Sequence, residues 1–177
     1  MRTLICDTRQ QKGKHKNKEA YFEKMGIPML RSKLPAGDYA FMDNMTVVCD
    51  SKQNLQEVVN NLTQDHERFR READLCLEHG ITLYVLVEEP GMHCLEDVKN
   101  WENPRLHRYN KINYMHNIGK WASVPLPKGK PTSNITLYKI MWTMAERHGV
   151  HWEFCDPKDA GRRIIELLGG VDIGNQD

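Results

Sequence analysis

An α/β domain, with a mixed β-sheet covered by helices on both faces, is the fold class this sequence predicts. Short apolar, β-branched runs alternate with segments of helical spacing along the chain. One run, Ile81 to Val87, is largely apolar and bounded by Gly80 and Pro90, as suits a central strand. Several helical segments stop at a glycine, where a left-handed residue belongs. At 177 residues the chain is long enough for one domain with a real core.

Taken in order, Leu4-Ile5-Cys6 reads as a first core strand ending at Asp7, followed by a basic loop through Lys16. A helix is expected from about Asn17 to Met25, closed by Gly26, then a strand within Ile27 to Lys33. Pro35-Ala36-Gly37 turns the chain into a hairpin of Tyr39 to Met42 and Met45 to Cys49. Leu55, Val58, Val59 and Leu62 have the i, i+3, i+4, i+7 spacing of a helix with one buried face. A further helix from about Asp65 to His79 buries Phe69, Ala73 and Cys76, and carries Gln64, Arg68 and Glu72 along its other side. From Gly91 to Pro131 periodicity is weak and Asn, Pro, His and Trp abound, which predicts a long irregular segment. Order resumes with a helix from about Ser133 to His148, a strand over Val150 to Cys155, and a last helix capped by Asp156 with Pro157 in its first turn.

Composition narrows the function. A hydrophobic fraction of 40% beside 28% charged residues fits a soluble globular protein, and the start lacks the apolar stretch of a signal peptide. No run approaches a membrane span, so a cytoplasmic protein with no membrane partner is expected. Five cysteines form no C-x-x-C pair and read as reduced, buried thiols; the eight histidines show no zinc spacing. Neither a P-loop nor a dinucleotide fingerprint occurs. The net charge of +1 conceals a local run, Arg9, Lys12, Lys14, Lys16 and Lys18, free of acids and suited to a polyanion.

The chemistry concentrates in Gly37-Asp38-Tyr39 and Asp50-Ser51-Lys52. Side chains alternate along a strand, so Asp50 and Lys52 project from one face, and the hairpin can return Asp38 beside them. Two carboxylates can hold Mg²⁺, with Mn²⁺ able to substitute, while an ammonium steadies a water nucleophile or a charged phosphate. An isolated D-x-K is usually a surface feature. Its mount at the end of the apolar run Thr46-Val47-Val48-Cys49 is what singles this one out.

The order Cys6-Asp7-Thr8-Arg9, Gly37-Asp38-Tyr39, Asp50-Ser51-Lys52, and Arg68-Phe69 with Glu72 resembles the XPF-type nuclease domain, a branch of the PD-(D/E)XK superfamily. The resemblance covers Arg2 to Glu89 and Ser133 to Leu168, and implies a restriction-endonuclease-like fold with a single domain over 1–177. It also implies a Mg²⁺-dependent DNA endonuclease, of the compact kind common in phage and prophage genomes and used in repair or recombination. Asp38, Asp50 and Lys52 would be catalytic and Asp7 a further metal ligand. Arg9, Lys12, Lys14, Lys16 and Arg68 would contact the phosphate backbone, with Glu72 ordering the site behind them. A homodimer is compatible with this reading.

The departures matter as well. Where the family has Glu-Arg-Lys, this chain has Asp50-Ser51-Lys52, and acids expected after Arg9 and four residues beyond Lys52 are Gln10 and Gln56. These losses support an alternative, a catalytically silent nuclease fold that binds nucleic acid or protein as a scaffold. The segment at about 91–131 looks like an insertion. Its Trp101, Tyr109, Tyr114 and Trp121, interleaved with Arg105, Arg108, Lys111 and Lys120, suit stacking on bases or, equally, packing onto the domain.

Overall fold

The computed structural model describes residues 2–10 and 15–170. Six strands form one mixed sheet in the order β2-β1-β3-β4-β5-β6. β1 (Leu4–Asp7) runs parallel to β2 (Met29–Ser32) and antiparallel to β3 (Tyr39–Phe41). β4 (Asn44–Lys52) is antiparallel to β3 and parallel to β5 (Thr82–Val87), which is itself parallel to β6 (Val150–Phe154). The apolar run predicted to end at Cys49 therefore continues as strand through Lys52, pairing Asp50 with Val85 and Lys52 with Val87.

Alternation along β4 and β5 feeds two separate cores. Val48, Val85 and Val87 join Leu55, Val58, Phe69, Leu137 and Met141 on one face, beneath α2 (Leu55–Thr63), α3 (His66–Glu78) and α5 (Asn134–His148). Cys49 and Leu86 join Phe22, Ile164 and Leu168 on the other, beneath α1 (Lys16–Lys24) and α6 (Ala160–Leu167). This two-faced burial is the physical reason β4 and β5 read as nearly continuous apolar runs. α2 starts where Asn54 accepts a hydrogen bond from the Glu57 amide, and α5 where Ser133 accepts one from Thr136. Gly149 closes α5 with φ 65°.

Three expectations need correction. The segment 91–131 is not irregular throughout: after a 3₁₀ turn at Leu95–Asn100 it forms α4 (Pro104–Asn117). Asn103 caps α4 and Pro104 fills its first position, but only Ile112 is buried, so the helix carries no apolar stripe to betray it. Trp101 belongs to the core on the α2, α3 and α5 face rather than to a stacking surface. Asp156 does not cap α6; a 3₁₀ turn, Pro157–Asp159, comes first, and the Asp156 carboxylate accepts from the Gly91 amide at 3.3 Å. Cys6, Cys49, Cys76 and Cys155 are buried and unbridged, with Cys94 exposed. Burial pushes the Cys6 thiol up to about 11 and Cys155 to about 12, which leaves them unreactive at neutral pH. Among the described residues no helix is long and apolar enough to cross a membrane.

Candidate active site

The site forms where β4 outruns β3. Gly37 takes φ 67°, and a Cβ there would lie 3.2 Å from the Cys49 carbonyl oxygen, so glycine allows the chain to press against β4. The following residue is then fixed on both sides: the Asp38 amide donates to the Cys49 carbonyl at 2.9 Å, and its carbonyl accepts from the Asp7 amide at 2.8 Å. Its carboxylate accepts from the Ser51 amide at 3.0 Å. Glu72, on α3, accepts a hydrogen bond from the Gly37 amide at 2.8 Å, next to Asp38 in the chain.

Asp50 and Lys52 share one face of β4 and form an ion pair at 2.7 Å, both side chains largely covered. Asp38, Asp50 and Lys52 line a cleft of about 290 Å³ together with Arg9, Arg68 and Glu72. Two carboxylates against one ammonium leave an excess negative charge in a desolvated place. Burial first, and the nearby Asp50 charge second, raise the Asp38 carboxyl to about 7, despite the opposing pull of Lys52 and the Ser51 amide. Burial alone would lower Lys52, but attraction to Asp50 and the hydrogen bond Lys52 donates to it outweigh burial and hold the ammonium above its ordinary value.

This donor set fits a hard divalent cation. Among the described residues no three His, Cys, Asp or Glu side chains gather into a metal-binding group. Mg²⁺ is nonetheless commonly held by one or two carboxylates with water filling the remaining positions. The N–H and C=O of one strand residue point to the same edge. Since the Ser51 N–H meets Asp38, the Ser51 carbonyl faces that edge too and offers a backbone oxygen beside the carboxylates.

The other expected residues divide. Asp7 is fully buried, and its carboxylate accepts from the Arg9 side chain at 2.8 and 3.1 Å, the Arg9 amide at 2.6 Å and the Leu34 amide at 2.7 Å. Burial raises its pKa, yet these hydrogen bonds prevail and hold it below the ordinary carboxylate range. It is not among the residues lining the cleft; it shapes the loop that presents Arg9. Arg68 is exposed beside Asp65 at 3.5 Å. Lys16 is exposed at the start of α1 and lines a neighbouring hollow rather than the cleft. Lys12 and Lys14 lie outside the described residues. The Gln10 amide lies against Asp38 and Tyr39, although its Nε2 has no partner of hydrogen-bonding geometry. Gln56 faces away from the cleft, across α2.

Sequence reasoning missed several participants. His15, Glu57 and Asn61 also line the cleft. The i, i+4 spacing of Glu57 and Asn61 is the signal that places them on one side of α2. Behind β4, Lys18 reaches Ser51 Oγ at 2.7 Å and forms a buried ion pair with Glu88. No sequence signal pairs residues that far apart.

Comparison with known proteins bears on the fold. The sequence matches no family model and no curated protein. Among solved structures, XPF from Aeropyrum pernix aligns with a TM-score of 0.57 at 19% identity, over 94% of this chain and 64% of the other. XPF from the same organism in complex with DNA aligns with a TM-score of 0.57 at 17% identity over 96% of this chain. This chain thus spans 64% of the length of those proteins. At such identity the likeness speaks for architecture, and the mixed sheet with helices on both faces is accordingly the restriction-endonuclease-like fold found in XPF nucleases.

Proposed function

We propose that this chain is a metal-dependent DNA endonuclease. The convergence of Asp38, Asp50 and Lys52 in one desolvated cleft carries the reading, because it creates a net negative pocket beside a fixed ammonium. Asp38 and Asp50 would hold Mg²⁺ or Mn²⁺, with the Ser51 carbonyl beside them. The bound cation would supply Lewis-acid polarisation of a phosphodiester and lower the pKa of a water. Lys52, tethered to Asp50, stands ready to donate hydrogen bonds to charge developing on the phosphate, in a site where such interactions are stronger than in water. Arg9 and Arg68, both exposed at the rim, would grip flanking phosphates. The XPF neighbour solved with DNA makes DNA the natural polyanion to test.

The test is cleavage of single-stranded, duplex, flap and four-way DNA in Mg²⁺, Mn²⁺ or EDTA, with wild type and Asp50→Asn. Metal-dependent cleavage lost in Asp50→Asn is the expected result. Unchanged cleavage by Asp50→Asn overturns the site. No cleavage by wild type in either metal favours the alternative, a silent nuclease fold that binds nucleic acid or protein, to which Gln10 and Gln56 in place of acids already point.

A further inference from the structure

The molecule segregates charge. From Asn103 to Pro131 the chain carries Arg105, Arg108, Lys111, Lys120, Lys128 and Lys130 and no acid, whereas acids outnumber bases in the rest. All six cations are exposed. Such separation concentrates the binding potential for a polyanion in one module.

The module also has a built groove. Arg105, Arg108 and Tyr109 of α4 face Pro125, Pro127 and Pro131 of the following loop across a space of about 410 Å³. Hydrogen bonds fasten the loop to the helix near both ends: His116 Nε2 lies 2.6 Å from the Val124 carbonyl oxygen, and Asn103 Nδ2 donates to the Thr132 carbonyl at 2.8 Å. Between these points the prolines fix their own φ angles, which narrows the conformations open to the loop before anything binds. Its walls are the flat, apolar faces of Tyr109 and the prolines, and its rim is cationic.

The groove leads toward the cleft. Arg105 and Pro131 also border a second hollow, lined by Asn60 of α2 and by Gln64 just past its end. Arg105 Nη1 donates to Asn60 Oδ1 at 3.2 Å, which links the start of α4 to α2. On its other side α2 presents Glu57 and Asn61 to the cleft. The second hollow and one helix, about 10 Å across, therefore lie between the groove and the candidate metal site.

We infer that the groove between α4 and the 124–131 loop is a second nucleic-acid site that takes an unpaired stretch of the DNA strand. Bases enter against Tyr109 and the prolines, while phosphates lie on Arg108 and Lys130. Stacking on flat side chains requires bases freed from pairing, and a cationic rim neutralises the backbone without reading sequence. The inference rests on the nuclease reading for its choice of DNA. It adds the form of substrate and the place that holds it.

Binding in EDTA tests it without interference from cleavage. Fluorescein-labelled oligothymidine, a duplex with an unpaired oligothymidine tail and a blunt duplex would be titrated with the full chain, following anisotropy. Wild type should prefer the tailed over the blunt duplex by about 10-fold or more. Tyr109→Leu should weaken tailed and single-stranded DNA by roughly 5- to 100-fold, the scale of one stacked base, and leave the blunt duplex unaffected. Arg108→Gln with Lys130→Gln touches only exposed cations, and should flatten the salt dependence on oligothymidine by a slope of about 1.4, or about 0.7 per contact. Equal affinity of wild type for tailed and blunt duplex, or wild-type binding by both variants, overturns the inference. If the preference holds while wild type cleaves nothing in Mn²⁺, the groove stands and the nuclease reading falls. If Asp50-dependent cleavage persists with no such preference, the reverse is true.

Discussion

On one face of β4, Lys52 meets Asp50 at 2.7 Å with Asp38 close by. On the other, Lys18 pairs with Glu88, and Ser51 Oγ accepts from Lys18 at 2.7 Å and donates to Glu88 at 3.2 Å. Both arrangements are buried lysine–carboxylate pairs, and the Glu88 amide, bonded to the Lys52 carbonyl at 2.8 Å, ties them together. They differ in balance. The rear pair is neutral and satisfied by a hydroxyl, as a buried pair must be to avoid a large desolvation cost. The cleft pair has one carboxylate too many and opens to solvent. A fold tolerates such an excess where a ligand can cancel it, which is why the proposed function is assigned to the unbalanced face, with the balanced face behind it.

Function should break first on the cleft side. Asp50→Asn or Lys52→Ala is expected to lower cleavage about 100-fold or more, the scale of removing one well-placed electrostatic group, with far-UV CD unchanged. On the rear side stability should break instead. Lys18→Met strands Glu88 in the interior, a loss of roughly 3–5 kcal/mol that calorimetric melting would register, and adding Glu88→Gln should recover most of it. A Lys18→Met protein that melts like wild type would mean the rear pair supports nothing.

The same contrast gives an inverse effect for Asp38. Its folded pKa, about 7, lies above the ordinary aspartate value of 3.8, so the folded state binds the extra proton. The stability this group contributes is therefore complete below the unfolded value and lost as pH rises through about 7. In metal-free protein Asp38→Asn, which keeps an oxygen for the Ser51 amide, should raise stability at pH 8 by roughly 1–3 kcal/mol more than at pH 5, with the gain shrinking further as pH falls toward about 4. Equal melting of both proteins at pH 8 would show that the excess charge is not felt.

Much of the cleft was legible because its signals are local. Alternation puts Asp50 and Lys52 on one face, and the apolar run before them marks a buried strand. Gly37 announces the tight approach that returns Asp38. The support was not legible. Lysine is ordinarily a surface residue, and nothing in α1 reveals that Lys18 is buried against a glutamate at the far end of β5. α4 escaped for the opposite reason: its residues are mostly exposed, so helix caps rather than an apolar stripe define it. Asp7 shows a third limit, since an acid ending a strand beside the site reads as a ligand until its four hydrogen bonds, to Arg9 and Leu34, are seen.

The smallest effect distinguishes a charge excess meant for a metal from one that is merely tolerated. Below pH 7 the proton on Asp38 must leave before the carboxylate can take a cation, so binding and proton release are coupled. Mn²⁺ affinity measured by calorimetry should therefore strengthen as pH rises toward 7, by up to about 10-fold per unit for one displaced proton, and level off above it. Asp38→Asn should remove the pH dependence along with most of the affinity. The heat of binding in Tris and in PIPES offers a second reading, since a released proton adds each buffer's own ionisation enthalpy. Wild-type affinity that is flat from pH 6 to 8, with no difference between buffers, would mean that cation and proton do not compete, and would return Asp38 to a purely structural part in closing the cleft.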